Sequence, residues 1–301
     1  MTFSTDSSFD SRSFEGVIPG LDDTLARKRG LRMFGTGMHH GPLASTRSLA
    51  FVRWGHGWVV LGVMVDFPFR PGHCIFLPPF VRPYVNRQTV AKHGGRYRTR
   101  PELGVEMLHI LCGVHENRRF HVVADSACGG RNVLAKQPGH CDLTSRLLLA
   151  ARLYDTRPER LPGTNGRPRK RGQRLSSPAD MLAGRCRRVS LSIDGRSYRS
   201  RIADQVARVF AVPDRPLRIV ASEAVEGGRG KAALYSTCHE ATAEQVIRWY
   251  AMRRSVEVTF RDSKQCLGRP AEPWMAERRR RRESGVPEGR SERPATGRGH
   301  P

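Results

Sequence analysis

The sequence lacks the features that mark zinc-finger, secreted and membrane proteins. Its seven cysteines include no Cys-x-x-Cys pair, so neither a zinc site nor a disulfide framework is indicated. The amino terminus has no basic and apolar segments of a secretory signal. The longest apolar run, Trp58 to Val65, is too short to span a bilayer. We therefore expect a cytoplasmic protein in a reducing compartment, without a membrane partner.

Acidic residues are scarce relative to basic ones. The 301 residues include 28 Asp and Glu against 52 Lys and Arg, which gives a formal net charge of +24. A surplus of this size favours a polyanionic partner, and we favour nucleic acid over a solubility or genome-composition effect. The length and the 38% hydrophobic content suffice for one large domain or two small ones.

The middle of the chain alternates between strand-like and helix-like segments. We expect disorder in residues 1–16 and in the Arg/Gly/Pro-rich tail 269–301. Between these segments the composition predicts strands at 17–21, 58–65, 118–125 and 232–237 and a helix at 101–112. From 140 to 237 short strands predict an antiparallel β insert, at 142–146, 188–193, 197–202, 206–212 and 217–222.

A basic loop, residues 166–172, lies within this insert and is punctuated by Gly and Pro. Its cations are able to lie along a phosphate backbone or to enter a minor groove. A solvated charged loop is an equally good interpretation. The candidate DNA-binding residues of the loop are Arg167, Arg169, Lys170 and Arg171.

The segment 243–267 has the pattern of a single helix, which begins after a capping box at Thr242. At about 100° per residue, Tyr250, Arg253 and Lys264 fall on the same side as Glu257. An apolar stripe runs beside them, formed by Trp249, Met252, Val256, Phe260 and Leu267. Taken alone, this pattern favours a salt-bridged surface helix.

Three carboxylates have positions that would allow them to converge. Asp22 or Asp23 follows the first strand, Asp125 ends a later strand, and Glu257 lies within the helix. Carboxylates that bridge two divalent metals activate water in phosphodiester cleavage, and Mg²⁺ needs only one or two carboxylates. Neighbouring strand residues face opposite ways, so only one of Asp22 and Asp23 should face the site, and the spacing does not decide which.

In this order, the carboxylates and the Tyr-x2-Arg-x3-Glu-x6-Lys pattern resemble the DDE transposases of bacterial insertion sequences. The resemblance is to the insertion-sequence-4-like group with the YREK signature, and it covers about residues 17 to 267. It implies an α/β fold with an RNase H-like core, a mixed sheet flanked by helices. The core would comprise 17–139 and the catalytic helix segment 238–268, with a β-rich insertion at 140–237 between the second Asp and the Glu.

The resemblance also implies a mechanism. Asp23, which directly precedes Thr24, would hold two Mg²⁺ ions together with Asp125 and Glu257, and Mn²⁺ would substitute. The enzyme would nick DNA at the transposon ends and join the freed 3′-hydroxyl to target DNA, as a homodimer on double-stranded DNA. Contacts with the transposon-end DNA would come from Tyr250, Arg253 and Lys264.

The sequence departs from this family at both ends and beside the signature. Relatives usually carry a helical domain before the first Asp and a Trp where this chain has Arg254, and the sequence after Leu267 no longer resembles them. We therefore expect a truncated or frameshifted element. The alternatives to an active transposase are a DNA-binding remnant without catalysis and an RNase H-like nuclease acting on another nucleic acid.

Overall fold

A computed structural model describes residues 17–28, 33–40, 51–67, 69, 73–159, 169–193, 195–225 and 230–267. The chain divides into two units after Phe260. The described part of the second unit, 261–267, contains the end of the last α-helix and a π-helical turn. The expectations for residues 1–16, for Arg167 and for the tail 269–301 concern residues outside the described ranges.

One mixed sheet of twelve strands organises the first unit. The strands are β1 (Pro19–Arg27), β2 (Gly37–His40), β3 (Val52–Asp66), β4 (Cys74–Tyr84), β5 (Phe120–Ala124), β6 (Cys141–Leu147), β7 (Leu153–Tyr154), β8 (Arg174–Leu175), β9 (Arg187–Ile193), β10 (Arg196–Val209), β11 (Val212–Ala224) and β12 (Lys231–Ser236).

Within the described ranges, six α-helices accompany the sheet, the second and the fifth of them begun by capping boxes. They are α1 (Arg87–His93), α2 (Arg100–Val114), α3 (Arg131–Lys136), α4 (Pro178–Ala183), α5 (Ala243–Met252) and α6 (Arg254–Asp262), and the π-helical turn Ser263–Leu267 follows. Thr99 and Glu102 exchange hydrogen bonds at the start of α2, and Thr242 and Gln245 do so at the start of α5. Each box satisfies backbone N–H groups that would otherwise lack a partner.

The central strands run in the order β4-β3-β1-β5-β6. Strand β3 is antiparallel to both β4 and β1, whereas β1, β5 and β6 are parallel to one another. On the far side of β6 the sheet continues through antiparallel strands β12, β11 and β10. The carboxyl end of β5 therefore lies beside the first half of β1, at Leu21, in the middle of the sheet.

Apolar side chains fill both faces of the sheet. On one face Leu21 and Leu61 pack in a buried cluster with Met107 and Leu108 of α2. The opposite face carries a second cluster, in which the strands pack against α5 and α6. Each large side chain buried in this way stabilises the fold by about 1.5–3 kcal/mol. The predicted α/β class, with a mixed sheet flanked by helices, is confirmed.

Most predicted elements are confirmed, but three details are wrong. Strand β1 does not end before the two Asp residues; it continues through both to Arg27. The segments 197–202 and 206–212 belong largely to one strand, β10, whose register with β11 shifts at a bulge after Ala207. Residues 142–146 are not confined to an antiparallel insert, because β6 pairs parallel with β5 and antiparallel with β12. The sheet thus continues from the segment 17–139 into the segment 140–237.

The predicted single helix at 243–267 is also wrong, because its hydrogen bonding changes at Arg253. There the backbone N–H of Arg253 reaches the carbonyl of Tyr250, and that of Val256 reaches the carbonyl of Arg253. These three-residue steps tighten the chain locally. The hydroxyl of Ser255 donates to the carbonyl of Met252 at 2.8 Å and competes with regular helical bonding. Arg253 therefore stands at the junction of α5 and α6.

A glycine in β1 allows α6 to lie close to the sheet. A Cβ atom on Gly20 would come within 2.9 Å of Cγ2 of Val256 and 2.8 Å of Cε of Met64. Both distances are shorter than side chains normally allow, so the missing side chain is needed for α6 to pack across β1. This packing places Arg253, directly before α6, beside Asp22.

Candidate metal centre

Two carboxylates are neighbours because their strands are parallel and in register. Leu21 of β1 pairs with Ala124 of β5, so the next residues, Asp22 and Asp125, lie side by side. Asp22 is only 5% exposed, and Asp125 is partly buried. The sheet thus brings together two carboxylates that are far apart in the sequence.

The surroundings of Asp22 raise the pKa of its carboxyl group. Burial raises its pKa to about 7, and the nearby charge of Asp125 adds to this rise. Two groups act in the other direction and lower the pKa of Asp22. The guanidinium of Arg253 donates from Nη2 to Oδ2 of Asp22 at 3.0 Å, and the backbone N–H of Asp23 donates to Oδ1 at 2.8 Å. Arg253 therefore only partly offsets the desolvation of this carboxyl group.

A tight turn after β5 carries a third donor atom into the same place. The backbone N–H of Cys128 donates to Oδ1 of Asp125 at 2.7 Å, and the N–H of Gly129 donates to the Asp125 carbonyl at 2.6 Å. The hydroxyl of Ser145 on β6 donates to the same carbonyl at 2.8 Å. A Cβ on Gly129 would lie 2.1 Å from Oγ of Ser145, so the turn fits against β6 only with glycine.

These contacts create a buried group that could hold a metal ion. One ligand atom from each of Asp22, Asp125 and Cys128 lies within 4.8 Å of the other two. The thiol is 1% exposed, and burial together with the neighbouring carboxylates raises its pKa well above the usual value. The donor set of two carboxylates and one sulfur suits a divalent cation.

Asp23 lies on the other face of β1. Its carboxylate is 3.3 Å from Nε of Arg100 at the start of α2, and burial raises its pKa against the effect of that cation. The alternation along a strand thus separates the two neighbours, as predicted. It is Asp22, rather than the Asp23 named by the resemblance, that lies in the group with Asp125 and Cys128.

Glu257 reaches this group through Arg253 and not directly. The other terminal nitrogen of Arg253, Nη1, donates to Oε1 of Glu257 at 2.7 Å, so one guanidinium bridges Asp22 and Glu257. The side chain of Glu257 is 59% exposed, whereas that of Arg253 is 18% exposed. Among the described residues, the metal-competent group contains Asp22, Asp125 and Cys128 but not Glu257.

Two further signature residues differ in their environment. Tyr250 is partly buried, and burial raises the pKa of its phenol; Arg253, Asp125 and Glu257 all lie within electrostatic range of it. Lys264 lies in the π-helical turn and is exposed. The junction between α5 and α6 thus holds Tyr250, Arg253 and Glu257 around Asp22 and Asp125.

The described part of the basic loop has three exposed cations, one of which also contacts aromatic rings. Arg169 and Lys170 are exposed. Arg171 lies 4.9 Å from the ring centroid of Tyr154 and 5.5 Å from that of Phe210, and its Nη1 donates to the Tyr154 hydroxyl. Within this loop, therefore, Arg169 and Lys170 are the described cations that are exposed to a polyanion and lie over no aromatic ring.

Sequence reasoning did not identify Cys128 or Arg100 as part of this region. The spacing Asp125-Ser-Ala-Cys128 contained a usable signal, because an Asp side chain commonly caps a turn by accepting from the backbone two or three residues later. That turn returns residue 128 to the carboxylate. Arg100 carried no comparable signal, since its contact with Asp23 depends on how α2 packs on the sheet.

Comparison with known proteins gives no family for this chain: no protein-family model matches it, and no curated protein matches it. Among the described residues, no helix is long and apolar enough to cross a membrane.

Proposed function

We propose that the protein is a metal-dependent DNA strand transferase, a transposase of the DDE type, that cleaves and joins phosphodiesters at the ends of a mobile element. The observation that carries the proposal is the convergence of Asp22, Asp125 and the Arg253–Glu257 pair at one point of the sheet. Two of the three carboxylate positions of the sequence pattern, Asp22 and Asp125, meet there directly, and Arg253 links Glu257 to them, in a protein of net charge +24.

The order of the central strands supports an RNase H-like core. Three antiparallel strands, β4, β3 and β1, are followed by the parallel strands β5 and β6, with α2 before β5 and α3 between β5 and β6. This arrangement places the first carboxylate on β1 beside the second at the end of β5. We infer that the strands β9 to β12 form the β-rich insertion of such a core.

The residues of the site fit a divalent cation, for which we propose Mg²⁺ in the transposase reaction. Asp22 and Asp125 would hold it, and such a cation would supply an activated water and stabilise the leaving oxygen. Arg253 lies between the carboxylates of Asp22 and Glu257 and would bind the phosphate that is cut. Glu257 would complete the ligand set once Arg253 turns toward the phosphate, and Tyr250 would position the DNA strand. The partner is double-stranded DNA, bound by a homodimer.

A second candidate function is a DNA-binding protein that does not cleave. The specific observation in its favour is the ion pair that keeps Glu257 against Arg253, outside the group formed by Asp22 and Asp125. Arg254, where members of the resembled family usually have Trp, follows directly at the start of α6. If the ion pair persists on DNA, the ligand set remains incomplete, and the protein would occupy DNA ends without cutting them.

Plasmid nicking separates these functions. Supercoiled DNA that carries the element's ends is incubated with the full chain and Mg²⁺ or Mn²⁺. We expect nicking by the unmodified protein, loss of nicking in Asp125→Ala, and unchanged nicking in the control Asp214→Asn, whose side chain is 69% exposed in a surface ion pair.

The same assay identifies the outcomes that would contradict the proposal. Retention of DNA on a gel without nicking by the unmodified protein would favour the binding function. Preferential cleavage of an RNA–DNA hybrid would favour a nuclease that does not transpose. Nicking that persists in Asp125→Ala would place the chemistry elsewhere.

A further inference from the structure

We propose that the sulfur of Cys128 is a ligand of this metal centre, and that the centre therefore binds a thiophilic cation such as Zn²⁺ or Co²⁺ in preference to Mg²⁺. The inference rests on the proposed function for the presence of a cation at Asp22 and Asp125. The sulfur of Cys128 would be the third donor atom, and it would set the chemical class of the cation.

The distances allow one cation to bind all three side chains. Bonds of about 2.3 Å to sulfur and about 2.0–2.2 Å to carboxylate oxygen place two donors on one cation at most about 4.5 Å apart. The three ligand atoms already lie within 4.8 Å of one another. Three donors at tetrahedral angles on one cation stand closer, at about 3.5 Å from one another, so closing this group around a cation requires each side chain to shift by less than about 1 Å.

The turn after β5 fixes the cysteine in this position before any cation arrives. Its backbone N–H is held by Oδ1 of Asp125, and the Asp125 carbonyl is held by Gly129 and Ser145. Cys128 is 1% exposed, and within the described part of the chain its sulfur makes no hydrogen bond. A buried thiol without a hydrogen-bond partner, directed at two carboxylates, is a donor atom available to a cation.

The surroundings distinguish this cysteine from one that merely fills space. A buried free cysteine usually behaves as a small apolar side chain among other apolar groups. Here the neighbouring ligand atoms are carboxylate oxygens of Asp22 and Asp125. A cation bound among them would take the sulfur as a thiolate, with the thiol proton released to solvent as the metal–sulfur bond forms.

The donor set also explains the choice of cation. Mg²⁺ takes oxygen ligands and gives up its waters reluctantly. Sulfur ligands favour zinc and related transition metals. Two carboxylates with one thiolate therefore bind Zn²⁺ or Co²⁺ through all three side chains, whereas Mg²⁺ would use only the oxygens.

Cobalt titration of the full chain tests this inference. Metal-free protein is titrated with Co²⁺ while the thiolate-to-cobalt charge-transfer absorption is recorded, and the affinities for Co²⁺ and Mg²⁺ are measured by calorimetry. We expect the absorption band in the unmodified protein and its loss in Cys128→Ser and Cys128→Ala. Co²⁺ affinity should fall by at least about 10- to 100-fold, which is the effect of losing a group that only supports a metal ligand. Mg²⁺ affinity should stay unchanged.

The matched control is Cys238→Ser, which alters a partly buried cysteine after β12 and should retain the band. Co²⁺ binding without the band in the unmodified protein, or a band that survives in Cys128→Ser, overturns the cysteine ligand. Neither result affects the proposed DNA chemistry, which the nicking assay tests separately. Absence of the band in the unmodified protein is decisive by itself, and that outcome does not depend on the folding of a variant.

Discussion

Burying a carboxyl group inside a sheet is costly, and the two Asp residues of β1 meet this cost in different ways. Asp22 lies against Arg253 and Asp125, and its pKa rises to about 7. Asp23 lies against Arg100 on the other face, beside α2. The two neighbours therefore share a strand and a charge type but not an environment.

Replacing each of these two Asp residues by Asn should show which of them belongs to the metal site. We expect Asp22→Asn to abolish metal-dependent nicking and Co²⁺ binding, because it removes a ligand of the proposed centre. Asp23→Asn should retain both activities to within about tenfold, since its carboxylate pairs with Arg100 and stabilises the start of α2. Nicking and calorimetry on the two variants provide the measurement. The reverse result would support the position that the resemblance gives to Asp23.

The burial of His121 predicts that acid destabilises the fold. It is fully buried on β5, hydrogen-bonded to the Thr144 hydroxyl at 2.8 Å and stacked 3.8 Å from the ring of Trp249. Burial lowers its pKa from 6.5 to about 4. Between these values the unfolded chain binds a proton that the folded chain does not, so stability rises with pH in this window and is lost as pH falls toward 4.

The expected loss attributable to His121 is about 3 kcal/mol, at about 1.4 kcal/mol per pKa unit. Urea unfolding of the metal-free protein between pH 4 and 7 would measure it. We expect His121→Gln to be less sensitive to acid over this window than the unmodified protein. Equal pH slopes for the two proteins would contradict a neutral buried imidazole.

At the scale of elements, the sequence predicted what local chemistry determines and missed what register determines. The apolar run of β3 and the capping box at Thr242 were sufficient for one strand and one helix start. The parallel pairing of β6 with β5 was not predictable, because that pairing forms between distant segments. For the same reason the composition could not choose between Asp22 and Asp23: the choice depends on which face of β1 meets α6.

The turn after β5 contains two neighbouring glycines, Gly129 and Gly130, that differ in how closely other atoms approach them. Gly129→Ala would place a Cβ 2.1 Å from Oγ of Ser145 and 2.8 Å from the Asp125 carbonyl, whereas Gly130→Ala meets nothing closer than 3.5 Å. We expect the first change to destabilise the protein by about 1–3 kcal/mol, as overpacking does, and to weaken Co²⁺ binding by displacing Asp125. The second should leave both nearly unchanged. Chemical unfolding and calorimetry on the pair decide, and equal effects would contradict the tight packing of the turn on β6.

At the scale of the whole molecule, charge is the dominant property. The surplus of 24 positive charges predicts attraction to DNA of any sequence. Many described arginines are already neutralised locally: Arg187 pairs with Glu244, Arg201 with Glu223 and Arg218 with Asp204. The cations available for phosphates are therefore those outside such pairs, including Arg169 and Lys170 of the basic loop.

Salt dependence tests this distribution of charge. DNA affinity should fall steeply with salt, by about 10³- to 10⁵-fold between about 50 and 200 mM if six to ten phosphates are contacted. Arg169→Gln and Lys170→Gln should each lower the slope of log affinity against log salt by about 1. Arg171→Gln is the matched control, because its guanidinium already lies over the rings of Tyr154 and Phe210. Affinity that does not change with salt would exclude a phosphate-dominated interface, and equal slopes for all three variants would exclude the loop from it.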